Sequence, residues 1–131
     1  MRRIAFIAVL VCAALSGCGS TPEDDAEKTV RDWVAAFNDR DPKICSELYS
    51  EKFIRDTIRS SGERGQRRCL RQLDKFGSRD SVEIVLRQID KTVRTGDVIS
   101  VSTQIETNGN PSRLTFNLTE TDGKWRIDAV G

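Results

Sequence analysis

The stretch VISVSTQIETNGNPSRLTFNLTETDGKWRIDAV, residues 98–130, decides the fold of this chain. Ile99, Val101, Thr103 and Ile105 recur at every second position, and Leu114, Phe116 and Leu118 repeat the pattern. Successive side chains of a strand point to opposite faces, so this period marks two strands that each bury one face. Between them stands Asn108-Gly109, a pair that accepts the positive φ angles of a two-residue hairpin. Asp122-Gly123 gives a second hairpin signal before a last strand carrying Trp125, Ile127 and Ala129. Upstream, Val82 to Val93 forms the first and longest strand, and Thr95-Gly96-Asp97 turns it into the second. Its apolar positions change phase between Val82, Ile84, Leu86 and Ile89, Val93, which a β-bulge near Gln88 accounts for. Four strands joined by tight turns make an antiparallel meander. Its inner face carries Val101 and Phe116, and Ser100, Ser102, Thr115 and Asn117 fall on the other side.

Ahead of the sheet the period changes from two to 3.6. Thr21-Pro22-Glu23-Asp24 reads as a cap, a proline in the first turn and acids at the positive helix end, and Ala26, Val30, Trp33, Val34 and Phe37 then share one face. Asn38-Asp39-Arg40-Asp41-Pro42 breaks this helix. Ile44, Cys45, Leu48 and Tyr49 give a second, short helix its apolar face, and Phe53, Ile54 and Ile58 continue a helical turn or two until Ser60-Ser61-Gly62. Cys69, Leu70, Leu73 and Phe76 mark a third helix, with Gly77 at the position of a left-handed C-cap. Helices first and an antiparallel meander after define an α+β architecture.

The chain opens with Arg2 and Arg3, an apolar run from Ile4 to Leu15, and Leu15-Ser16-Gly17-Cys18. The run is shorter than the roughly 20 apolar residues that cross a bilayer, so it reads as a removable export signal. Its last four residues resemble the lipobox of bacterial lipoproteins. That resemblance implies a signal peptide over residues 1–17, diacylglyceryl transfer to the Cys18 sulfur with further acylation such as palmitate, and a chain that starts at Cys18. Residues 18–24 then form a lipidated tether and residues 25–131 the domain. Attachment would hold the protein on the extracytoplasmic face of the cell membrane.

Removing 17 of 131 residues leaves 114, enough for one domain with one core. Loss of Arg2 and Arg3 takes the formal net charge from +1 to −1, which excludes a nucleic-acid binder by bulk charge. The one basic cluster, Arg64, Arg67, Arg68 and Arg71, falls on a single helix face and reads as a solvated surface. With Cys18 lipidated and Cys12 discarded with the signal, Cys45 and Cys69 are the remaining thiols. In an exported protein they are expected to form a disulfide. The chain contains no histidine, and two cysteines so far apart do not make a zinc site, so neither a metal nor a cofactor is expected.

The helix ending in Trp33-Val34-Ala35-Ala36-Phe37-Asn38-Asp39-Arg40-Asp41 and the terminal Gly123-Lys124-Trp125-Arg126-Ile127-Asp128 strand resemble the nuclear transport factor 2-like superfamily. In particular they look like its small actinobacterial lipoproteins, in which an opening helix, an Asn-Asp turn and two cysteines in the following helical region precede the sheet. The resemblance implies a cystatin-like α+β cone, N-terminal helices packed on a curved antiparallel sheet around a pocket. Trp33, Phe37, Tyr49, Leu86, Val101, Phe116, Trp125 and Ile127 are the pocket candidates. No catalytic residue is assigned, since Tyr49, Asp90 and Asp128, the polar groups nearest the core faces, each have a structural explanation. The expectation is a non-catalytic, membrane-anchored envelope module that binds a small apolar ligand or an envelope protein. The alternatives are an isomerase- or dehydratase-like enzyme on the same fold and a structural module that forms a homodimer through its sheet.

Overall fold

Thr21 begins the first helix by a reciprocal cap. Its hydroxyl oxygen accepts from the Asp24 amide at 3.2 Å, and its own amide donates to the Asp24 carboxylate at 3.4 Å. In the computed structural model, which describes residues 19–76 and 82–131, this helix, α1, spans Pro22–Asp39. The signal segment, Cys18 and the Gly77 cap lie outside the described residues. Two π-helical turns follow, Ile44–Leu48 and Ile54–Ile58, separated by the short helix α2, Glu51–Phe53. Helix α3 covers Gly62–Lys75. The strands are β1 (Ile84–Thr95), β2 (Val98–Thr107), β3 (Asn110–Thr121) and β4 (Lys124–Val130), paired antiparallel in sequence order.

The expected continuous helical turns beyond Tyr49 are interrupted, and the cause is a tertiary hydrogen bond. At Tyr49 and Ser50 the backbone is extended, Tyr49 bridges Ile127 of β4 in parallel, and the Ser50 amide donates to the Ile127 carbonyl at 2.9 Å. Ser50 Oγ then accepts from the Phe53 amide at 3.0 Å and starts the next turn. The helical segment is thereby fastened to the sheet edge.

In the sheet, the alternation fixes the register as read. Val101 pairs with Phe116, Ile99 with Leu118, and Leu118 with Ile127, and all five of these side chains are wholly enclosed. Ser100, Ser102, Thr115 and Asn117 lie on the opposite face, only partly covered. The hairpin residues take left-handed angles, with φ +50° and +81° at Asn108 and Gly109 and +53° and +74° at Asp122 and Gly123. Strand β1 is bulged twice, between Leu86 and Gln88 and between Ile89 and Lys91, where the sequence suggested one bulge near Gln88. Two bulges bend the edge strand more sharply than one, which lets the sheet curl around α1.

Two side-chain ties set α1 against the start of the sheet, and a disulfide joins the helical segments to one another. The Asn38 side-chain amide donates to the Ile84 carbonyl at 2.7 Å and its oxygen accepts from the Ile84 amide at 2.8 Å, so the end of α1 docks on the start of β1. Arg40, at φ +54°, donates to the carbonyls of Phe37, Phe76 and Val82 and gathers three segments. The Cys45–Cys69 disulfide joins the first π-helical turn to α3, with Cα atoms 5.9 Å apart. Helix α3 also lies directly on the second π-helical turn at Gly65, where an added Cβ would meet Ile54 Cγ2 at 2.6 Å.

Candidate functional site

Trp33 and Phe37 lie one turn apart on α1, and their rings stack with centroids 5.3 Å apart. Phe116, rising from the middle of β3, meets the Trp33 ring edge-on at 5.1 Å. These contacts fill the space between α1 and the concave sheet. An opening of 270 Å³ is left instead on the helical side, bounded by α1, both π-helical turns and α3. Its walls are chiefly Trp33, Phe37, Tyr49, Phe53, Leu73 and Phe76. Phe76 packs on Phe37 at 5.7 Å and is 44% exposed, so it forms part of the rim. Cys69 also borders the opening, and its disulfide therefore braces the wall.

Polarity enters this space at few points, and the principal one is Tyr49. Its ring stacks on Phe53 with centroids 3.8 Å apart, and its oxygen accepts from Trp33 Nε1 at 3.0 Å. Burial pushes the Tyr49 phenol above its ordinary pKa of 10.0, an effect that the Trp33 hydrogen bond only partly opposes. The group is thus a neutral hydroxyl at physiological pH. Its own proton meets no acceptor among the described residues. Thr57 and Gln72 are the other polar residues of the lining.

The sequence-predicted residues divide between two places. Trp33, Phe37 and Tyr49 come together at the opening. Val101, Phe116 and Ile127 are enclosed under α1, Leu86 packs partly buried against the same core, and none of the three enclosed residues reaches the opening. Trp125 is buried at the start of β4, with the Arg94 guanidinium 5.9 Å from its ring. Trp33 is wide enough to occupy the mouth of the cone, and that is why the open volume moves to the helices. Phe53, Leu73 and Phe76 also wall the opening; helical periodicity marks their apolar faces, but which faces converge depends on the break at Ser50.

Of the two acids considered, Asp90 is exposed on its bulge and accepts from Gln88 Nε2 and Gln104 Nε2, each at 2.9 Å. Asp128 borders a separate polar cleft. Arg64, Arg67, Arg68 and Arg71 all lie on the exposed side of α3. Among the described residues no group of three or more acidic, cysteine or histidine side chains is placed to hold a metal ion. No described helix is long and apolar enough to cross a membrane.

No protein-family model matches this sequence, and no curated protein matches it. Solved structures do. An NTF-2-like protein of unknown function from Shewanella oneidensis MR-1 aligns with a TM-score of 0.53 at 14% identity, covering 84% of this chain and 97% of that one. Also similar are a de novo designed protein with a curved β-sheet (TM-score 0.49, 15% identity, covering 80% and 95%) and the de novo designed NTF2 fold protein NT-9 (0.49, 19%, covering 82% and 84%). With its helices packed on a curved four-stranded sheet, this chain has the nuclear transport factor 2-like α+β fold. At such identities the likeness concerns the fold alone.

Proposed function

We propose that this protein is an envelope lipoprotein, held by lipid on Cys18 at the extracytoplasmic face of the cell membrane, whose domain is a non-catalytic receptor for a small apolar ligand. The observation that carries the binding part is the aromatic-walled opening of 270 Å³. That volume is below the roughly 300–1,000 Å³ of drug-sized sites and suits one ring or a short acyl chain. Tyr49 supports a preference within this class. Its partly buried O–H, without an acceptor among the described residues, favours a ligand that brings one oxygen acceptor, such as a ketone or ester carbonyl. Tyr49 is also the one titratable side chain of the lining that is not tied in a disulfide, so the lining offers it no acid or base to work with, which favours binding over proton transfer. Support for anchoring is the complete lipobox, together with α1 starting at Pro22. Four residue steps from Cys18 reach at most about 14 Å, so a lipidated chain would keep its domain beside the bilayer.

The test is a titration with cyclohexanone and, separately, cyclohexane, followed through the Trp33 indole N–H resonance. Both compounds should perturb that resonance. The ketone should bind the native protein about two- to tenfold more tightly than the Tyr49→Phe variant, with cyclohexane indifferent to the change. A Trp33 signal unmoved by either compound would overturn the reading.

A further inference from the structure

Tyr49 also borders the polar cleft, a space of 530 Å³ between the first π-helical turn, the start of α2 and the ends of β3 and β4. Its lining holds the carboxylates Glu51, Asp122 and Asp128 and the cations Lys52, Arg55 and Arg126, so its formal charge is zero. Two of the cations are engaged. Asp56 pairs with Lys52 at 2.6 Å and with Arg55 at 3.4 Å. Arg126 has no carboxylate partner among the described residues, and its geometry is specific. Nη1, the nitrogen on the Cδ side, donates to the Ser46 carbonyl at 3.2 Å. That leaves the Nε–H and Nη2–H edge, the parallel pair of donors that matches the two oxygens of a carboxylate. Nε is buried and meets no partner among the described residues. A buried charged donor left in this way is costly unless something supplies the acceptor.

We infer that Arg126 anchors a binding site for a small zwitterion of the α-amino-acid type. The ligand's carboxylate takes the Nε–Nη2 edge, and its ammonium is met by the acids of the cleft, Asp128 foremost because it lies two residues further along β4. The same acids disfavour a phosphate, whose second negative charge would face three carboxylates while Lys52 and Arg55 are already paired with Asp56. Nε is covered in this structure, so binding includes a swing of Arg126 or of a rim side chain. Glu51, Lys52 and Arg55 are exposed at that rim and can make room. This site is separate from the apolar opening, and its ligand is of the opposite polarity.

The experiment follows the Arg126 Nε–H resonance of the full chain during titration with L-alanine, L-alaninamide, N-acetyl-L-alanine and inorganic phosphate. L-alanine should shift it saturably, and the amide and the acetylated form, each lacking one charge, should bind at least about tenfold more weakly. Arg126→Gln should abolish the response, read through neighbouring backbone amides such as Thr119, while far-UV circular dichroism shows the fold retained. Arg126→Lys should restore it only in part, since an ammonium lacks the fork. Should Arg126→Gln fail to fold, Asp128→Asn serves in its place, weakening L-alanine but not N-acetyl-L-alanine. No shift with L-alanine, equal binding of L-alaninamide, or tighter binding of phosphate would each overturn the inference.

Discussion

Reduction of the Cys45–Cys69 disulfide removes one covalent bond and nothing else, so its effect can be worked out from loop length. The two cysteines are 24 residues apart and 1% and 3% exposed. Closing a loop of that size lowers the entropy of the unfolded chain enough to stabilise the fold by about 3.5 kcal/mol at 25 °C. For a domain of roughly 110 residues, with about 2.1 cal/mol/K of unfolding entropy per residue, the same free energy corresponds to a fall in Tm of about 15 °C. The assay is urea unfolding of the oxidised protein and of the same protein kept in reductant, followed by far-UV circular dichroism. The reduced form should unfold at a midpoint lower by roughly 2 M, with a steeper slope because its unfolded chain exposes more surface. Reduction should also loosen α3 first, since it removes one of the ties of α3 to the neighbouring helical turns and leaves the Gln66 Nε2 to Cys45 carbonyl bond at 3.0 Å and the close approach of Gly65 to Ile54. Superimposable oxidised and reduced curves would refute the reasoning, because they would mean that the crosslink constrains neither state.

Asn38→Ala should lower stability by about 2 kcal/mol, as two hydrogen bonds to the Ile84 backbone are lost at about 1 kcal/mol each; chemical denaturation checks it. The raised pKa of Tyr49 means that the folded state holds its proton more tightly than the unfolded chain does. Stability from this group is complete below about pH 10 and is lost as pH rises through the folded pKa, so thermal melts of Tyr49→Phe should fall less steeply above pH 10 than those of the native protein. Cys18→Ala should lose the lipid and the membrane association that survives a high-salt wash, with uncleaved or mislocalised precursor accumulating; immunoblotting of the fractions reads both.

The sheet was legible because each of its signals is local. Alternation at Ile99–Ile105 and Leu114–Leu118 and the Asn-Gly and Asp-Gly turns depend on neighbours two to four residues away, and the structure keeps all of them. The capped start of α1 at Thr21 was legible for the same reason. The region after Asp39 was not. Tyr49 and Ser50 leave helical geometry because Ile127, far along the chain, offers a carbonyl, and no local pattern announces that partner. Asn38 and Arg40 read as residues of a break, whereas their side chains fasten α1 to β1 and to the residue that caps α3. The site was legible in the same measure. Trp33, Phe37 and Tyr49 lie on apolar helical faces and converge as a group, but Val101, Phe116 and Ile127, proposed beside them, are enclosed in the core away from the opening, where Phe116 meets the Trp33 ring in a contact that only the assembled cone defines. Arg126 reads as an outward residue of an alternating strand, and its free edge emerges only once Ser46 has taken Nη1.

The measurement that tests the central claim most directly is a native mass spectrum of the protein extracted from its own cell membranes. The account predicts a chain beginning at Cys18, heavier by a diacylglyceryl group and acyl chain, and carrying a small non-covalent ligand that a denaturing spectrum releases. A ligand-free mass of the unmodified chain, with no lipid on Cys18, would contradict it.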